Sequence, residues 1–407
     1  MADLAQYQDY LDWIDSQHQH MIHLTMEWSK INSGSYNTEG LAAMCKALED
    51  NFLWLHGGME RIPLAPLESV DSEGKVIAIP MGDALRIRKR PEAPIQIFLG
   101  GHMDTVFAKD HYFQEPVFLD ENTMNGPGVA DLKGGLVVML KALEAFEKSP
   151  WADQLGWEIV INPDEEIGSQ SSDVLFAEAA PRNQLGLIFE PSLPDGSLAG
   201  SRKGSGNFAI VVHGKAAHAG REHHLGRNAI VACAKITQAV DALNGQREGV
   251  TLNPGKIEGG GALNAVPDLA IMRFNVRIQK AEDQTWLEEA FAKILQEANA
   301  ADGITAELHG KFTRAPKPIE PDNIRIFELV KQVGADLGME ISWNATGGCC
   351  DGNNLYKYGL PNVDTLGVCG GNIHSDKEYV LLDSLASRAK LSALLLMRLA
   401  DGTCRIS

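Results

Sequence analysis

Three short apolar segments that alternate with a helical pattern constrain the fold of this chain more than any other feature. Residues 93–106 (APIQIFLGGHMDTV) and 157–166 (WEIVINPDEE) each read as a buried strand that runs into a polar loop. A helical pattern over 131–148 lies between them, and 185–192 (LGLIFEPS) forms a further strand. Strands that alternate with helices predict a mostly parallel α/β sheet. Such sheets bind ligands beyond the carboxyl ends of their strands.

A different order of elements begins near residue 200. Six segments read as strand, helix, strand, strand, helix and strand, which is the ferredoxin-like arrangement. At 407 residues the chain exceeds one typical core, so two domains are expected. We therefore predict a small α+β domain over 200–312, inserted into a larger domain formed by 1–199 and 313–407. The six segments are 208–214, 228–245, 250–259, 269–279, 285–299 and 304–312.

Helical patterns at both ends of the chain complete the larger domain, over 1–30, 37–55 and 382–399. The first residues lack the basic and then apolar order of a signal peptide. No run approaches the ~20 apolar residues of a membrane span. Six cysteines, of which Cys349 and Cys350 are adjacent, do not resemble a disulfide framework. We therefore expect a cytoplasmic protein.

The charge of the chain is strongly negative and unevenly distributed. The formal net charge is −18 and the pI is near 5.1, which argues against nucleic acid as a partner because phosphate binding needs basic patches. Residues 200–312 hold 13 Lys or Arg and 12 Asp or Glu, so the remainder holds 23 and 42, a net charge of −19. This excess fits a cation site in the larger domain, although solvated surface acids explain much of it equally well.

Candidate metal ligands lie where the predicted strands end. His102 and Asp104 are two residues apart on an extended segment, so they point to the same side, and Asp104 can orient the imidazole for a metal. A buried His–Asp pair without metal is the alternative. Asp131 opens a helix and can equally be its N-cap. Glu190 and His374, taken singly, fit an ordinary loop carboxylate and an exposed loop histidine.

Three consecutive acids follow the strand that ends near residue 162, namely Asp164, Glu165 and Glu166. Neighbouring side chains of an extended segment point to opposite sides, so one glutamate can bind metal while the other serves as a general acid and base. Acids at a helix N-terminus explain the stretch alone, but not the whole set. Two imidazoles and three carboxylates suffice for two divalent cations: His102, Asp131, Glu166, Glu190 and His374.

Five segments in this order resemble the motifs of the M20 family of dinuclear zinc metallopeptidases, and the chain looks most similar to the glutamate carboxypeptidase (carboxypeptidase G2) type. The resemblance covers nearly the whole chain, and five ordered motifs are far more specific than any one of them. The segments are GHMDTV, GPGVADLKGG, NPDEEIGS, FEPS and GGNIHSDKEYV.

The resemblance implies a role for each of these residues. Two zinc ions share one bridging carboxylate, one glutamate is the general base, and one aspartate orients a histidine. Cobalt or manganese can occupy such ligands as well. In this reading His102 and Glu190 bind one zinc, Glu166 and His374 bind the other, Asp131 bridges them, Glu165 is the base and Asp104 orients His102.

The resemblance extends to the inserted domain, where it implies a lid and a homodimer contact. His218 matches a histidine that polarises the scissile carbonyl, in some relatives from across the dimer. Asn264 and Arg277 match the pair that grips a substrate carboxylate, although Arg277 on a strand also fits a surface ion pair. Cys349 and Cys350 stand where Ser, Thr or Gly is more usual, and we expect them to pack beneath the site.

The implied reaction is hydrolysis of an amide bond that releases a C-terminal amino acid, by a water activated between two zinc ions with Glu165 as general base. Small peptides or N-acyl amino acids are the implied substrates. An N-acyl-amino-acid deacylase of the acetylornithine deacetylase kind is the main alternative, because the same carboxylate clamp serves both. A non-catalytic metal-stabilised binding protein has no use for Glu165. A dinuclear phosphoesterase lacks a basic phosphate-binding cluster at these loops.

Overall fold

Ten α-helices and twenty β-strands form residues 4–406, the part of the chain that this computed structural model describes. The helices are α1 (Gln8–Ser16), α2 (His18–Ser29), α3 (Thr38–Phe52), α4 (Lys133–Glu147), α5 (Asp173–Ala179), α6 (Ala229–Asp241), α7 (Ala281–Asn299), α8 (Pro321–Asp336), α9 (Asp351–Lys357) and α10 (Asp383–Ala400). The strands are β1 (Gly58–Ile62), β2 (Leu67–Val70), β3 (Val76–Ile79), β4 (Ala84–Lys89), β5 (Ile95–His102), β6 (Val117–Phe118), β7 (Thr123–Asn125), β8 (Leu155–Asn162), β9 (Leu185–Ile188), β10 (Leu198–Arg202), β11 (Gly204–His213), β12 (Ala217–His218), β13 (Thr251–Gly259), β14 (Ala265–Val266), β15 (Leu269–Ile278), β16 (Thr305–Arg314), β17 (Trp343–Thr346), β18 (Asn362–Val363), β19 (Gly370–Gly371) and β20 (Tyr379–Leu381).

The central sheet has six strands in the order β1-β4-β8-β5-β9-β18. Strands β8, β5, β9 and β18 are parallel, whereas β4 and β1 pair antiparallel at one edge. Every residue of β8 is buried, as expected for a strand with both faces covered by helices. The predicted α/β class with a mostly parallel sheet is therefore confirmed, and the sheet is mixed because of its antiparallel edge.

Helices cover both faces of this sheet. On one face α4 and α10 pack together with α1 and α2 in the main apolar core. On the other face α5 and α9 pack against β9 and β18, with Phe98 and Phe176 in edge-to-face contact. None of the described helices is long and apolar enough to cross a membrane. The apolar sides of α4 and α10 are buried in the core instead.

The second large sheet contains four antiparallel strands in the order β13-β15-β11-β16. Helices α6 and α7 cover one face, where Phe208, Phe274 and Phe291 pack with ring centroids 5.4–5.5 Å apart. The opposite face receives the β2–β3 hairpin of the N-terminal region, through Val70 against Ala209. This strand order, with two helices on one face, is ferredoxin-like.

The chain crosses between the two sheets twice, and the two crossings are hydrogen-bonded to each other. Arg202 and Lys317 form an antiparallel bridge with two N–H to O distances of 2.9 Å. The buried amide of Asn353 donates to Lys203 O at 3.0 Å and to Ala315 O at 2.7 Å. The entry into and the exit from the second sheet are therefore fixed by the same buried segment, which also borders the site described next.

Candidate metal centre

Several of the predicted site residues lie at the carboxyl ends of the parallel strands. His102 is the last residue of β5, and a 3-10 turn, Glu165–Ile167, follows β8. Glu190 comes two residues after β9. Because β5 lies between β8 and β9, the loops that follow these strands converge on one edge of the sheet, as the strand pattern predicted.

The first group of side chains contains His102, Asp131 and Glu190, all buried. His102 Nε2 lies 3.1 Å from Asp131 Oδ1 and 3.8 Å from Glu190 Oε2. One nitrogen and two carboxylate oxygens thus face a common point, which is a donor set that divalent cations bind.

The second group contains Asp131, Glu166 and His374. His374 Nε2 lies 3.2 Å from Asp131 Oδ2 and 3.1 Å from Glu166 Oε2. His374 has a positive φ of 64°, a conformation in the left-handed region that turns its ring towards these carboxylates. Asp131 faces one histidine with each of its two oxygens, so it belongs to both groups. This is the arrangement that a carboxylate bridging two ions needs.

Negative charge is crowded and desolvated in this cluster. Burial, together with the neighbouring charge of Asp131, raises the pKa of Glu166 to about 8. Burial likewise raises the pKa of Glu190. His102 is buried, which lowers its pKa, but Asp104, Asp131 and Glu190 raise it well above its ordinary value. The protein alone therefore leaves these carboxylates short of positive charge.

Asp104 is fully buried and organises the turn that carries the two glutamates. Its carboxylate accepts the backbone N–H groups of Glu165 and Glu166, each at 3.1 Å, and the hydroxyl of Ser35 at 2.7 Å. The same carboxylate lies 3.3 Å from His102 Nδ1. Asp104 thus fixes the imidazole and the acidic turn together. We expected an extended backbone at Glu165 and Glu166; that expectation was wrong, because these N–H groups converge on one carboxylate in a 3-10 turn.

Asp164, the first of the three consecutive acids, faces away from the metal groups. It is buried and accepts the N–H groups of Ser171 and Ser172 at 2.9 and 3.3 Å and the hydroxyl of Ser172. It therefore closes the loop that leads into α5. Of the three acids, only Glu166 belongs to a metal group.

Glu165 lies outside both metal groups and pairs with an arginine that the sequence reasoning missed. Arg314 donates to Glu165 Oε1 at 2.6 Å and to the Glu165 carbonyl at 3.0 Å. It also donates to Asp351 Oδ1 and Ser169 Oγ, each at 3.0 Å. Burial raises the pKa of Glu165 to about 7, although Arg314 opposes that rise. In the sequence, the only indication of this arginine is its position at the end of an apolar strand pattern, GKFTR.

Glu378 is a second residue that sequence reasoning missed. Its buried carboxylate accepts the N–H groups of Gly128, Ala130 and Asp131 at 2.9–3.1 Å. These bonds hold the glycine-rich loop that presents Asp131. The residue lies four positions after His374 in the last motif, and only its place in that motif could have indicated it.

A cavity of about 630 Å³ opens beside the metal groups, bordered by Glu165, Glu190 and His374. Arg277 lines this cavity and donates to Asn275 Oδ1 at 3.0 Å and to Cys349 Sγ at 2.7 Å. Arg202 and Arg314 line it as well, so the cavity contains three arginines where the sequence indicated only one. Cys350 is buried beneath the cavity, as expected, whereas Cys349 is half-buried in its wall.

Comparisons with known proteins agree with this geometry. A model of the peptidase family M20/M25/M40 matches residues 98–398. The chain belongs to this family. Carboxypeptidase G2 of Pseudomonas sp. (strain RS-16) is 28% identical over 380 residues, covering 91% of this chain and 87% of that protein. Succinyl-diaminopimelate desuccinylase of Bordetella parapertussis is 25% identical over 337 residues, covering 79% and 87%.

Among solved structures, an M20 family metallo-carboxypeptidase from Sulfolobus solfataricus, Sso-CP2, shares the fold with a TM-score of 0.72 at 17% identity. The match covers 93% of this chain and 98% of that chain. The family resemblance that the five motifs indicated is therefore confirmed. M20 enzymes are dinuclear metal peptidases, and the chain is a hydrolase of this metallopeptidase family.

The residues of this M20 chain fit two divalent cations on chemical grounds. Glu190 Oε1 is buried and has no hydrogen-bond partner among residues 4–406, an unusual state for a carboxylate oxygen. The two groups present only oxygen and nitrogen acceptors. A cation shared with His102 gives the free oxygen of Glu190 a partner and offsets the crowded negative charge.

Two of the site residues expected from the family lie elsewhere in this chain. His218 and Asn264 are exposed neighbours on the short ribbon of β12 and β14, where Ala219 N donates to Asn264 O at 2.9 Å. Neither is among the described residues that border the metal-site cavity. Of the inserted-domain residues predicted for substrate binding, only Arg277 lines that cavity within one chain.

Proposed function

We propose that this M20 hydrolase is a carboxypeptidase of the glutamate type, which cleaves an amide bond and releases a C-terminal acidic amino acid. The observation that carries the proposal is the pair Arg202 and Arg277 in the wall of the cavity that adjoins the metal groups. A released amino acid with two carboxylates needs two such cations.

Arg277 is half-buried and is held by Asn275 and Cys349, neither of which carries a carboxylate. Its charge is therefore available for the α-carboxylate of a substrate, which a guanidinium can bind in a bidentate manner. The side chain of Arg202 is 9% exposed and lies 2.9 Å from Asp364. That ion pair is formed by its Nε, and Asp364 also has Lys317 Nζ at 2.7 Å as a second cation, so these three side chains carry one positive charge in excess. We propose that Arg202 binds the side-chain carboxylate of the released amino acid.

We propose zinc as the native metal, held by His102, Glu190 and Asp131 in one site and by Asp131, Glu166 and His374 in the other. Two such ions supply Lewis acidity and lower the pKa of water. Asp104 keeps His102 in the correct orientation, and Glu378 does the same for the loop of Asp131.

In this proposal Glu165 moves the proton. Its carboxylate accepts a proton from the attacking water and passes that proton to the nitrogen of the leaving amino acid. A general base works best with a pKa near the operating pH, and the pKa of about 7 for Glu165 suits this role. Arg314 holds the carboxylate at 2.6 Å and thereby keeps it beside the metal groups.

We further propose a homodimer through the domain inserted at 200–312, which also serves as a lid over substrate. His218 and Asn264 are exposed and do not border the cavity of their own chain. A second copy is one way to deliver them to the metal groups of the partner, where His218 can stabilise the developing oxyanion of the scissile carbonyl and Asn264 can contact the substrate carboxylate. A His218→Ala variant that loses activity and regains it when mixed with a metal-site variant supports delivery across the dimer.

A deacylase remains the second candidate, because desuccinylases are among the relatives of this chain. Both activities need a carboxylate clamp and the same metal groups, so they differ only in the acyl group. The testing panel contains peptides and N-acyl forms of glutamate, aspartate and alanine, together with acetylornithine and succinyl-diaminopimelate. Release of glutamate by zinc-loaded protein supports the proposal. Turnover of acetylornithine or succinyl-diaminopimelate alone contradicts it and makes the enzyme a deacylase.

A further inference from the structure

Three cavities meet at the turn that carries the two glutamates. The cavity that contains Arg277 has a volume of about 630 Å³, and two others have volumes of about 500 and 540 Å³. Glu166 and Ile167 border all three. A substrate that places its leaving amino acid beside Arg277 must therefore extend its acyl group past Glu166 into one of the other two cavities.

The cavity of about 500 Å³, here called the Tyr36 cavity, continues the first one. It shares Asn207 and Asn275 with the Arg277 cavity, in addition to Glu166 and Ile167. The third cavity shares only Glu166 and Ile167 with it. One wall, which includes Asn207 and Asn275 on β11 and β15, therefore runs from the Arg277 cavity into the Tyr36 cavity.

Two opposite surfaces form the Tyr36 cavity. The surface of the larger domain is apolar, with Tyr36 62% exposed and Val76 of the β2–β3 hairpin 55% exposed. The surface of the inserted sheet carries amides, because Asn253, Asn275 and Asn207 occupy paired positions on three neighbouring strands. A ligand that fits here has an apolar side and a hydrogen-bonding side.

The cations of this cavity are already paired. Lys256 Nζ lies 2.7 Å and Arg273 Nε 3.0 Å from the carboxylate of Glu258. Arg273 also donates to the carbonyl of Asp71 at 3.1 Å. Two acidic residues, Glu68 and Glu166, border the cavity as well, so its acidic side chains offset the two cations. The cavity therefore favours an uncharged group over a carboxylate.

The backbone on both sides of Tyr36 is fixed. Ser35 donates its hydroxyl to Asp104 at 2.7 Å, and Asn37 caps α3 by accepting the N–H of Gly40 at 3.2 Å. The exposed ring borders both the second and the third cavity. Tyr36 thus presents an exposed aromatic ring, on a hydrogen-bonded segment of backbone, between the two spaces that an acyl group can enter.

We propose that Tyr36 determines acyl-group specificity, because it forms one wall of the subsite that binds the acyl group. This subsite accepts an uncharged, elongated acyl group that contains an amide and an apolar ring or side chain. The inference rests on the proposed carboxypeptidase function, because that function places the leaving amino acid beside Arg277 and therefore places the acyl group on the other side of the metal groups. Aromatic rings and amides supply much of the selectivity in such subsites.

The experiment compares three substrates that share the same leaving amino acid: benzoylglycyl-glutamate, acetyl-glutamate and succinyl-glutamate. Zinc-loaded wild-type protein is expected to cleave the first with a kcat/KM at least about tenfold above the other two. Tyr36→Ala is expected to lower kcat/KM about tenfold for benzoylglycyl-glutamate only. Asn253→Ala gives a smaller loss for the same substrate. Trp54→Ala removes an aromatic side chain that is 73% exposed and serves as the control.

The results separate this inference from the proposed function. Cleavage of all three substrates at equal rates, or a preference for succinyl-glutamate, overturns the subsite and leaves the carboxypeptidase proposal intact. Equal losses on all substrates in Tyr36→Ala also overturn it, because a specificity residue must discriminate. If protein with two bound metals releases glutamate from none of them, both proposals fail together.

Discussion

Two buried clusters of charged side chains lie close together in this protein, and they compensate their charges in different ways. In the first cluster, here called the hinge cluster because Arg202 and Lys317 lie where the chain crosses between the two sheets, Asp364 lies 2.7 Å from Lys317 Nζ and 2.9 Å from Arg202 Nε. Burial raises the pKa of Asp364, but these two cations lower it to about 2. In the carboxylate cluster around the metal groups, burial instead raises the pKa of Glu165 to about 7 and the pKa of Glu166 to about 8.

The difference shows which buried charges the chain neutralises with its own residues. The hinge cluster has two cationic side chains for one carboxylate, so the chain neutralises this carboxylate with its own residues. The carboxylate cluster has four carboxylates and a single arginine, Arg314, which contacts only Glu165 among them. Isolated buried carboxylates are costly, so this cluster depends on protons or on metal ions. The two clusters should therefore respond differently to removal of metal and to a change of pH.

Removal of metal is expected to have the largest effect and to act on the carboxylate cluster alone. Activity should be lost completely, because the proposed reaction needs the metal ions to lower the pKa of the attacking water. In metal-free protein the folded state holds protons on Glu165 and Glu166 that the unfolded state releases above pH ~4.5. Stability should therefore fall as the pH rises from 5 to 8. Thermal unfolding with and without a chelator at several pH values measures this change, and a metal-free protein that is equally stable across the range contradicts it.

Replacement of Asp364 by Asn tests the hinge cluster. The variant leaves Lys317 and Arg202 buried without their shared counter-charge, which costs ~3 kcal/mol in the free energy of unfolding. The contribution of Asp364 is present above pH ~4 and is lost as the pH falls through about 2. The difference between wild type and variant in urea unfolding should therefore shrink below pH 4, and its size should not depend on zinc.

The exposed ion pair of Lys46 and Asp50 provides the matched control for that experiment, since both side chains are about 60% exposed. Asp50→Asn is expected to change stability by less than ~0.5 kcal/mol. Equal losses in the two variants mean that the hinge cluster contributes no more than a surface pair.

Glu378→Gln is expected to give the smallest effect. The side chain keeps its length but loses one of the two oxygens that hold the N–H groups of Gly128, Ala130 and Asp131. Substitutions of residues that orient metal ligands weaken metal affinity by ~10–100-fold. Titration with a competing chelator measures this loss. An unchanged affinity for both ions shows that the glycine-rich loop keeps its shape without Glu378.

The sequence was sufficient for the architecture and for the proximity of the candidate metal-binding side chains, because both depend on local patterns. Apolar strands that alternate with helices specify the sheet, and ligands such as His102 and Glu190 follow those strands directly. Arg202, Arg314 and Asp364 were not predicted. Each is a charged residue at the end of a strand or just after it, where the apolar pattern does not indicate its partner, and only the tertiary fold places these charges near the metal groups. The backbone conformation at single positions could not be predicted either. The 3-10 turn at Glu165, for example, depends on hydrogen bonds to Asp104, which is distant in the sequence.

The most direct test of the central account is a joint measurement of metal content and glutamate release in Glu165→Gln. Glu165 lies outside both metal groups, so the variant should retain two metal ions per chain while kcat falls ~10³-fold. Glu166→Gln is the comparison, and it should lose metal together with activity. A Glu165→Gln protein that keeps wild-type activity, or one that loses an ion, contradicts the assignment of Glu165 as the proton carrier.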